Sequence, residues 1–511
     1  VITGSVIGVE NLAILLLAIV SGVALIASKT RIPYTVALVL VGLAITLSQQ
    51  FKTEVSPDII LSIFIPPIAF EAGYRIDFAR FRANWRQILM LAIPGVVITM
   101  LVIGVVLNGL GVAGLTAAMV FGALISATDP VAVLALFGAF DLSPDLEMII
   151  ESESLLNDGT AIVVFNIALA IALGGTFSLG GGIVDFVRVS AGGVLVGGIL
   201  GFVIARILAQ IDDYLVETAL TTCLAFGAYL IADQFHVSGV LAVVTAGILA
   251  GNLGIESMSP TTRIVARNFW EFIAYIANSL VFLLIGMAIQ LSDLIQYARA
   301  IGAAILAVLV SRAIVVYGLS FLLNRTRGKV PNAWQHVLFW GGLRGAISLA
   351  LALSLPTALT DRASLRAMTF GVVLFTILVQ GTTMETLLKR LNLIHRDPRI
   401  AERDERFGRL YAAEAAWNRM RQLHTDGLIV GELWEEVLET HRIERERLAA
   451  EMHALYMQHD DLHDDVLRRV RRETLLAQRA ALNDAMQRSL ISAEAGRKLI
   501  AEIDHNIDAL H

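Results

Sequence analysis

The sequence predicts an all-α integral membrane protein of about thirteen transmembrane helices, two of them broken, followed by a soluble helical C-terminal domain. Three observations predict this. The chain of 511 residues is 56% hydrophobic and only 16% charged, whereas a soluble chain carries about a quarter charged residues. Apolar runs of spanning length recur as far as residue 388. The charge is also segregated: 41 of the 84 charged residues lie between Arg396 and His511. One chain therefore serves two solvents, and the domains are expected at 1–395, in the membrane, and 396–511, in water.

A transmembrane helix needs roughly 20 apolar residues, and Gly or Pro is tolerated where neighbouring helices cover the broken backbone. Runs that meet this lie at 7–27, 33–48, 58–74, 87–108, 115–137, 148–173, 186–209, 216–232, 237–253, 269–290, 300–323, 333–355 and 367–388. The second, third, eighth and ninth are short or polar at one end, so twelve or fourteen spans remain open. With thirteen spans and the N-terminus outside, twelve loop Lys and Arg residues fall on the cytoplasmic side and five on the outer side. That asymmetry obeys the positive-inside rule. It predicts a multi-pass protein of the plasma (inner) membrane with its charged tail in the cytoplasm.

Other classes are excluded. The formal charge of −6 comes with no basic stripe interleaved with aromatics, so nucleic acid is not an expected partner. The single cysteine, Cys223, can form no internal disulfide and no Cys-based metal site. No cofactor and no enzymatic activity are expected.

Ionisable residues inside a membrane are expensive, and each is a functional hypothesis. Setting loop charges aside leaves Glu71, Asp129, Glu151, Glu153, Asp158, Asp233 and Arg344. Asp129 lies in Ser126-Ala127-Thr128-Asp129-Pro130, in the middle of the fifth span. The proline disfavours helix at Asp129 and removes a donor, so the chain should unwind there. In the sixth span Ser154 and Asp158 are four apart and share one helical face, while Glu153 and Asn157 share the next. A carboxylate with a hydroxyl one turn away, facing an unwound Thr-Asp-Pro, supplies the hard oxygens that a small alkali cation prefers. The same carboxylate can take a proton instead.

The twelfth span carries Gly341-Gly342-Leu343-Arg344-Gly345-Ala346, which should loosen it at the depth of the fifth-span break. Spans one to six and eight to thirteen then pair as two halves. Interruptions at matching positions of two halves point to a midplane transport site. Arg344 needs a buried partner. The candidates are Glu153, Glu151, Asp129 and Asp158, and Glu153 is favoured, since pairing with Asp158 would compete with an ion.

The motifs Phe70-Glu71-Ala72-Gly73, Ala127-Thr128-Asp129-Pro130-Val131-Ala132-Val133, Glu153-Ser154-Leu155-Leu156-Asn157-Asp158-Gly159-Thr160-Ala161 and Gly341-Gly342-Leu343-Arg344-Gly345-Ala346 resemble the monovalent cation:proton antiporter family, in its sodium/proton exchanger (NhaP-like) branch. The resemblance covers about residues 5–390. It implies a homodimeric exchanger of Na+ for H+, with Li+ or K+ left open as the cation. It also implies a core subdomain and a dimerisation subdomain, built from inverted repeats in which the two broken helices cross. Asp158 would be the main ion and proton carrier. Asp129 and Ser154 would give side-chain oxygens to Na+ and Thr128 a main-chain oxygen, and Glu71 would reach the ion through water. Glu153 with Arg344 would be the structural ion pair, and Asn157 beside Asp158 resembles the electroneutral branch. Two alternatives stand beside this: an intramembrane aspartyl protease using Asp129 and Asp158, and a cation channel.

The tail from about Pro398 reads as amphipathic helices laced with charge pairs, with a regulatory, dimer-reinforcing or partner-docking role. Gly427–Glu432 resembles Ser489–Glu494 as a faint repeat of a helix start. His453, His459 and His463 lie among Asp460, Asp461, Asp464 and Asp465, a cluster read as a solvated helix face.

Overall fold

The apolar runs coincide with helices in the computed structural model. It describes residues 3–27, 34–47, 60–131, 133–134, 137, 142–175, 178–211, 213–254, 260–325, 329–359, 361–394, 398–426, 428, 432–458 and parts of 467–508. The chain divides into two units, 1–394 and 395–511. In order, α1 is Thr3–Ala27, α2 Tyr34–Leu47, α3 Ile65–Arg75, α4 Phe78–Ala92, α5 Pro94–Gly109 and α6 Leu115–Leu124. The second half of the unit holds α7 Pro144–Ala172, α8 Leu179–Leu208, α9 Tyr214–Gln234, α10 Gly239–Leu249, α11 Pro260–Ala288 and α12 Leu291–Gln296. It ends with α13 Ala298–Asn324, α14 Asn332–Trp340, α15 Ala346–Leu353, α16 Arg362–Phe375 and α17 Thr382–Arg390. Among the described residues, seven helical segments are long and apolar enough to cross a membrane, and four apolar helices are shorter. Among the described residues the secondary structure is helical, with π-helical turns at Ile60–Phe64, Ala250–Gly254 and Thr376–Gly381.

The helix ends follow local chemistry. Helix begins at Phe78, nine residues before the apolar run, because Asp77 caps the backbone N–H groups of Ala79 and Arg80. Asp213 caps α9 through Leu215 and Val216, and Ser238 caps α10 through Leu241.

Two sets of helices result. One packs α1–α3 with α8–α11, and the other packs α4–α7 with α13–α17. In the first set, small residues let backbones touch, as membrane helices require where apolar burial gives no drive. A Cβ on Gly42 would stand 2.9 Å from the Cα of Gly286, and Gly193, Gly197 and Gly201 form a seam of α8 against α10. The second set meets the first chiefly where α7 faces α3, α8 and α10, and where α15 faces α11.

In the second unit, α18 (Pro398–Thr425) and α19 (Glu432–Gln458) pair antiparallel. Arg406 donates to the carbonyl of Glu451, Arg445 lies over the ring of Trp417, and His424 stacks on Trp434. Met420, Leu448, Met452 and Leu455 are buried. A further helix, α20, runs from Ala493 to Asp508. His453 is exposed on α19. The other members of the His/Asp cluster lie outside the described residues, as do Gly427, Ile429, Val430, Gly431 and Ser489 of the faint repeat.

Candidate ion-binding site

The fifth-span helix ends at Leu124, and residues 125–130 leave the helical path. The twelfth span breaks between Trp340 and Ala346. The two breaks cross and are stitched together: the Asp129 N–H donates to the Leu343 carbonyl at 2.9 Å. Arg344 Nη1 donates to the carbonyls of Ser126 at 2.8 Å and Ala127 at 3.2 Å. These carbonyls are freed where α6 stops, so the guanidinium occupies the negative end of that helix. The Asp129 carboxylate lies against Gly345, at the positive end of α15, so closely that a Cβ there would overlap it. Its Oδ1 accepts from the Val131 N–H at 2.9 Å.

Helix α7 clamps the break from the other side. Ser154 Oγ donates to the Thr128 carbonyl. Asn157 Nδ2 donates to Thr128 Oγ1 at 2.6 Å, and the Thr128 N–H donates back to Asn157 Oδ1 at 3.2 Å. Every polar group of Thr128 is thus engaged by α7. The Ser154 oxygen and the second lone pair of the Thr128 carbonyl stay available to a cation.

The Asp158 carboxylate makes no hydrogen bond to another described residue and borders a cavity of about 330 Å³ between the two helix sets. Thr128, Asp129 and Ser154 border it as well, while Tyr34, Glu71, Tyr275 and Asn278 line the facing wall. Glu71 stands across the cavity from the broken helix and accepts from Arg75 Nη1 at 3.4 Å. The structure therefore brings together Thr128, Asp129, Ser154, Asn157 and Asp158, with Glu71 opposite. Asp233 lies away from them, exposed near the end of α9. A second cavity of about 740 Å³ lies on the other side of Val240, which borders both.

One expectation is corrected. Glu153 does not pair with Arg344. It accepts from Arg312 of α13 through two hydrogen bonds, Nη1 to Oε1 at 2.8 Å and Nη2 to Oε2 at 3.0 Å. Arg312 also donates to the Leu338 carbonyl from Nε and Nη2. The reason is geometric: Arg344 is spent on the carbonyls of the crossing break, and the planar fork of Arg312 matches a carboxylate. Sequence reasoning missed Arg312 because it gave an arginine inside the run 300–323 no role. Its position between apolar neighbours was the available signal, and Glu217, buried in α9, was passed over in the same way.

A family model described as "Sodium/hydrogen exchanger, transmembrane" matches residues 13–390. The chain belongs to this family of integral membrane transporters. It is 42% identical over 395 residues to the Na(+)/H(+) antiporter ApNhaP of Aphanothece halophytica, covering 75% of this chain and 76% of that one. It is 34% identical over 500 residues to the Na(+)/H(+) antiporter NhaG of Bacillus atrophaeus, covering 95% and 94%, so that likeness extends into the tail. The sodium proton antiporter MjNhaP1 of Methanocaldococcus jannaschii has the same fold, with a TM-score of 0.64 at 20% identity over 76% of this chain and 99% of that one. The relatives are transporters and not enzymes, and nothing in these likenesses supports an aspartyl protease.

Proposed function

We propose that the chain exchanges Na+ for H+ at a single site that holds either the cation or the proton. The observation that carries this is the Asp158 carboxylate, free of hydrogen bonds to the described residues and facing a cavity, beside the oxygens of Ser154, Thr128 and Asp129. Hard oxygens around one ionisable group suit a small alkali cation, and protonating that group removes the charge that holds it. A monovalent set of this kind takes Li+ by the same chemistry, and K+ where the cavity is wide enough.

In this reading the exchange is electroneutral. The loaded α4–α7 and α13–α17 set moves against the other set, opening the site to alternate sides, and the empty, ionised site crosses poorly. Glu71 contributes from the facing wall, and Asn157 fixes Thr128. The membrane part, 1–395, crosses thirteen times in two inverted repeats with its N-terminus outside, works as a homodimer in the plasma (inner) membrane, and leaves 396–511 in the cytoplasm as a helical regulatory domain. The distribution of loop Lys and Arg supports that orientation.

The test is Asp158→Asn in proteoliposomes. Na+-driven proton movement, read with a pH-sensitive dye, should vanish while the protein stays folded. Exchange at the wild-type rate would refute the assignment. A cation series in the same vesicles decides between Na+, Li+ and K+.

A further inference from the structure

The face of α7 that carries Ser154 and Asp158 carries a third oxygen group, which the exchange reading leaves without a task. Glu151 precedes Ser154 by three residues and Asp158 by seven, so all three fall on one stripe of the helix. All three border the same cavity. Glu151 is 7% exposed, and it makes no hydrogen bond or ion pair with another described residue. A buried carboxylate without a donor is unfavourable wherever an apolar side chain would fit. Its oxygens are turned toward a cavity wide enough for water and ions.

The charged groups facing it are Glu71 and Arg75 of α3, Arg267 and Glu271 of α11, and Glu147 on its own helix. Arg75 is held by Glu71 at 3.4 Å. Four carboxylates thus surround two guanidinium groups, an excess of negative charge at this end of the cavity. Seven residues of α-helix place Glu151 about 10 Å from Asp158 along the axis, with the Ser154 hydroxyl between them.

We infer that Glu151 is a second cation and proton site, an outlying carboxylate that holds the monovalent cation or the proton in the cavity before it passes to Asp158. This rests on the exchange reading of Asp158 and adds to it a relay along one helix face.

The experiment uses the full chain in proteoliposomes as wild type, Glu151→Gln, Glu151→Asp and Asp158→Asn, with Na+ varied at several pH values. Glu151→Gln should raise half-saturating Na+ about two- to tenfold, the range that one charge about 10 Å away exerts. It should also flatten the dependence of that constant on pH, because one of two proton acceptors is gone. Glu151→Asp, which keeps the charge, should recover most of both effects. Thermal unfolding of purified protein gives a readout without transport. Na+ should still raise the melting temperature of Asp158→Asn, and that rise should disappear when Glu151→Gln is added.

Glu151→Gln indistinguishable from wild type overturns the relay. So does a lower maximal rate with unchanged half-saturation and pH profile, which is what a merely structural carboxylate gives. If Asp158→Asn exchanges like wild type, the reading of Asp158 itself fails and the relay falls with it. If Asp158→Asn is dead and Glu151→Gln is silent in both assays, only the relay falls.

Discussion

Glu153 and Arg312 meet through two hydrogen bonds, at 2.8 and 3.0 Å, with both side chains buried between α7 and α13. Removing one partner leaves the other as an uncompensated charge in a low dielectric. Arg312→Met should therefore destabilise the fold by about 3–5 kcal/mol. Adding Glu153→Met should recover much of that loss, because an apolar pair of similar volume needs no compensation. Thermal unfolding in detergent, compared across the two variants, checks both statements. A double variant less stable than the single one would contradict them.

Gly345→Ala should abolish exchange. A Cβ at this position would overlap the Asp129 carboxylate and lie 2.7 Å from its Cγ. The methyl group must displace either the carboxylate or the start of α15, and both belong to the crossing breaks. Far-UV circular dichroism should show the helices intact while Na+-driven proton movement is lost. Transport at the wild-type rate would contradict the close approach.

Gly159 packs against Leu241 of α10, next in sequence to Val240, which borders both cavities. A Cβ there would stand 2.6 Å from Cγ and Cδ2 of Leu241. Overpacking of this kind costs about 1–3 kcal/mol. If the helix sets slide past each other at this point, Gly159→Ala should slow turnover about tenfold. Leu241→Ala in the same chain should restore most of the rate. Initial rates of exchange for the two variants decide it, and failure of the second change to rescue would place the contact outside the moving surface.

In the proposed exchange, competition at one carboxylate fixes the sign of the pH dependence. As pH falls the proton occupies the site more often, so half-saturating Na+ should rise by up to about tenfold per pH unit, while the maximal rate at saturating Na+ changes less. Titrating Na+ at a series of pH values with equal pH on both sides of the vesicle tests this. A half-saturation constant independent of pH would mean that cation and proton bind at separate groups.

The crossing breaks were legible in the sequence because their signals are local. Thr128-Asp129-Pro130 and Gly341-Gly342-Leu343-Arg344-Gly345 each violate helix chemistry inside an apolar run, and the structure unwinds both. The face shared by Ser154 and Asp158 follows from helical spacing alone. The partner of Glu153 was not legible, since a choice between two arginines more than thirty residues apart depends on which one the crossing carbonyls consume. Arg312 sits in helix that continues unbroken on either side, so no local irregularity marks it. The early start of helix at Phe78 was hidden for a different reason. Its first turns are polar, and a hydropathy reading trims them, although the Asp77 cap fixes the boundary.

The clamp on Thr128 has a consequence for how the protein can be altered. Thr128, Asp129, Ser154 and Asp158 all sit on one of the two helix sets, locked to one another through Asn157 and the stitched breaks. Tyr34, Tyr275 and Asn278 sit on the other, across open space. If these four residues hold the ion as proposed, they form a cartridge and the opposite wall its housing. On that proposal, changes to Tyr34, Tyr275 or Asn278, unlike changes to Glu71, retune how fast the cartridge is served without rewriting which ion it holds, so speed and selectivity become separately adjustable traits.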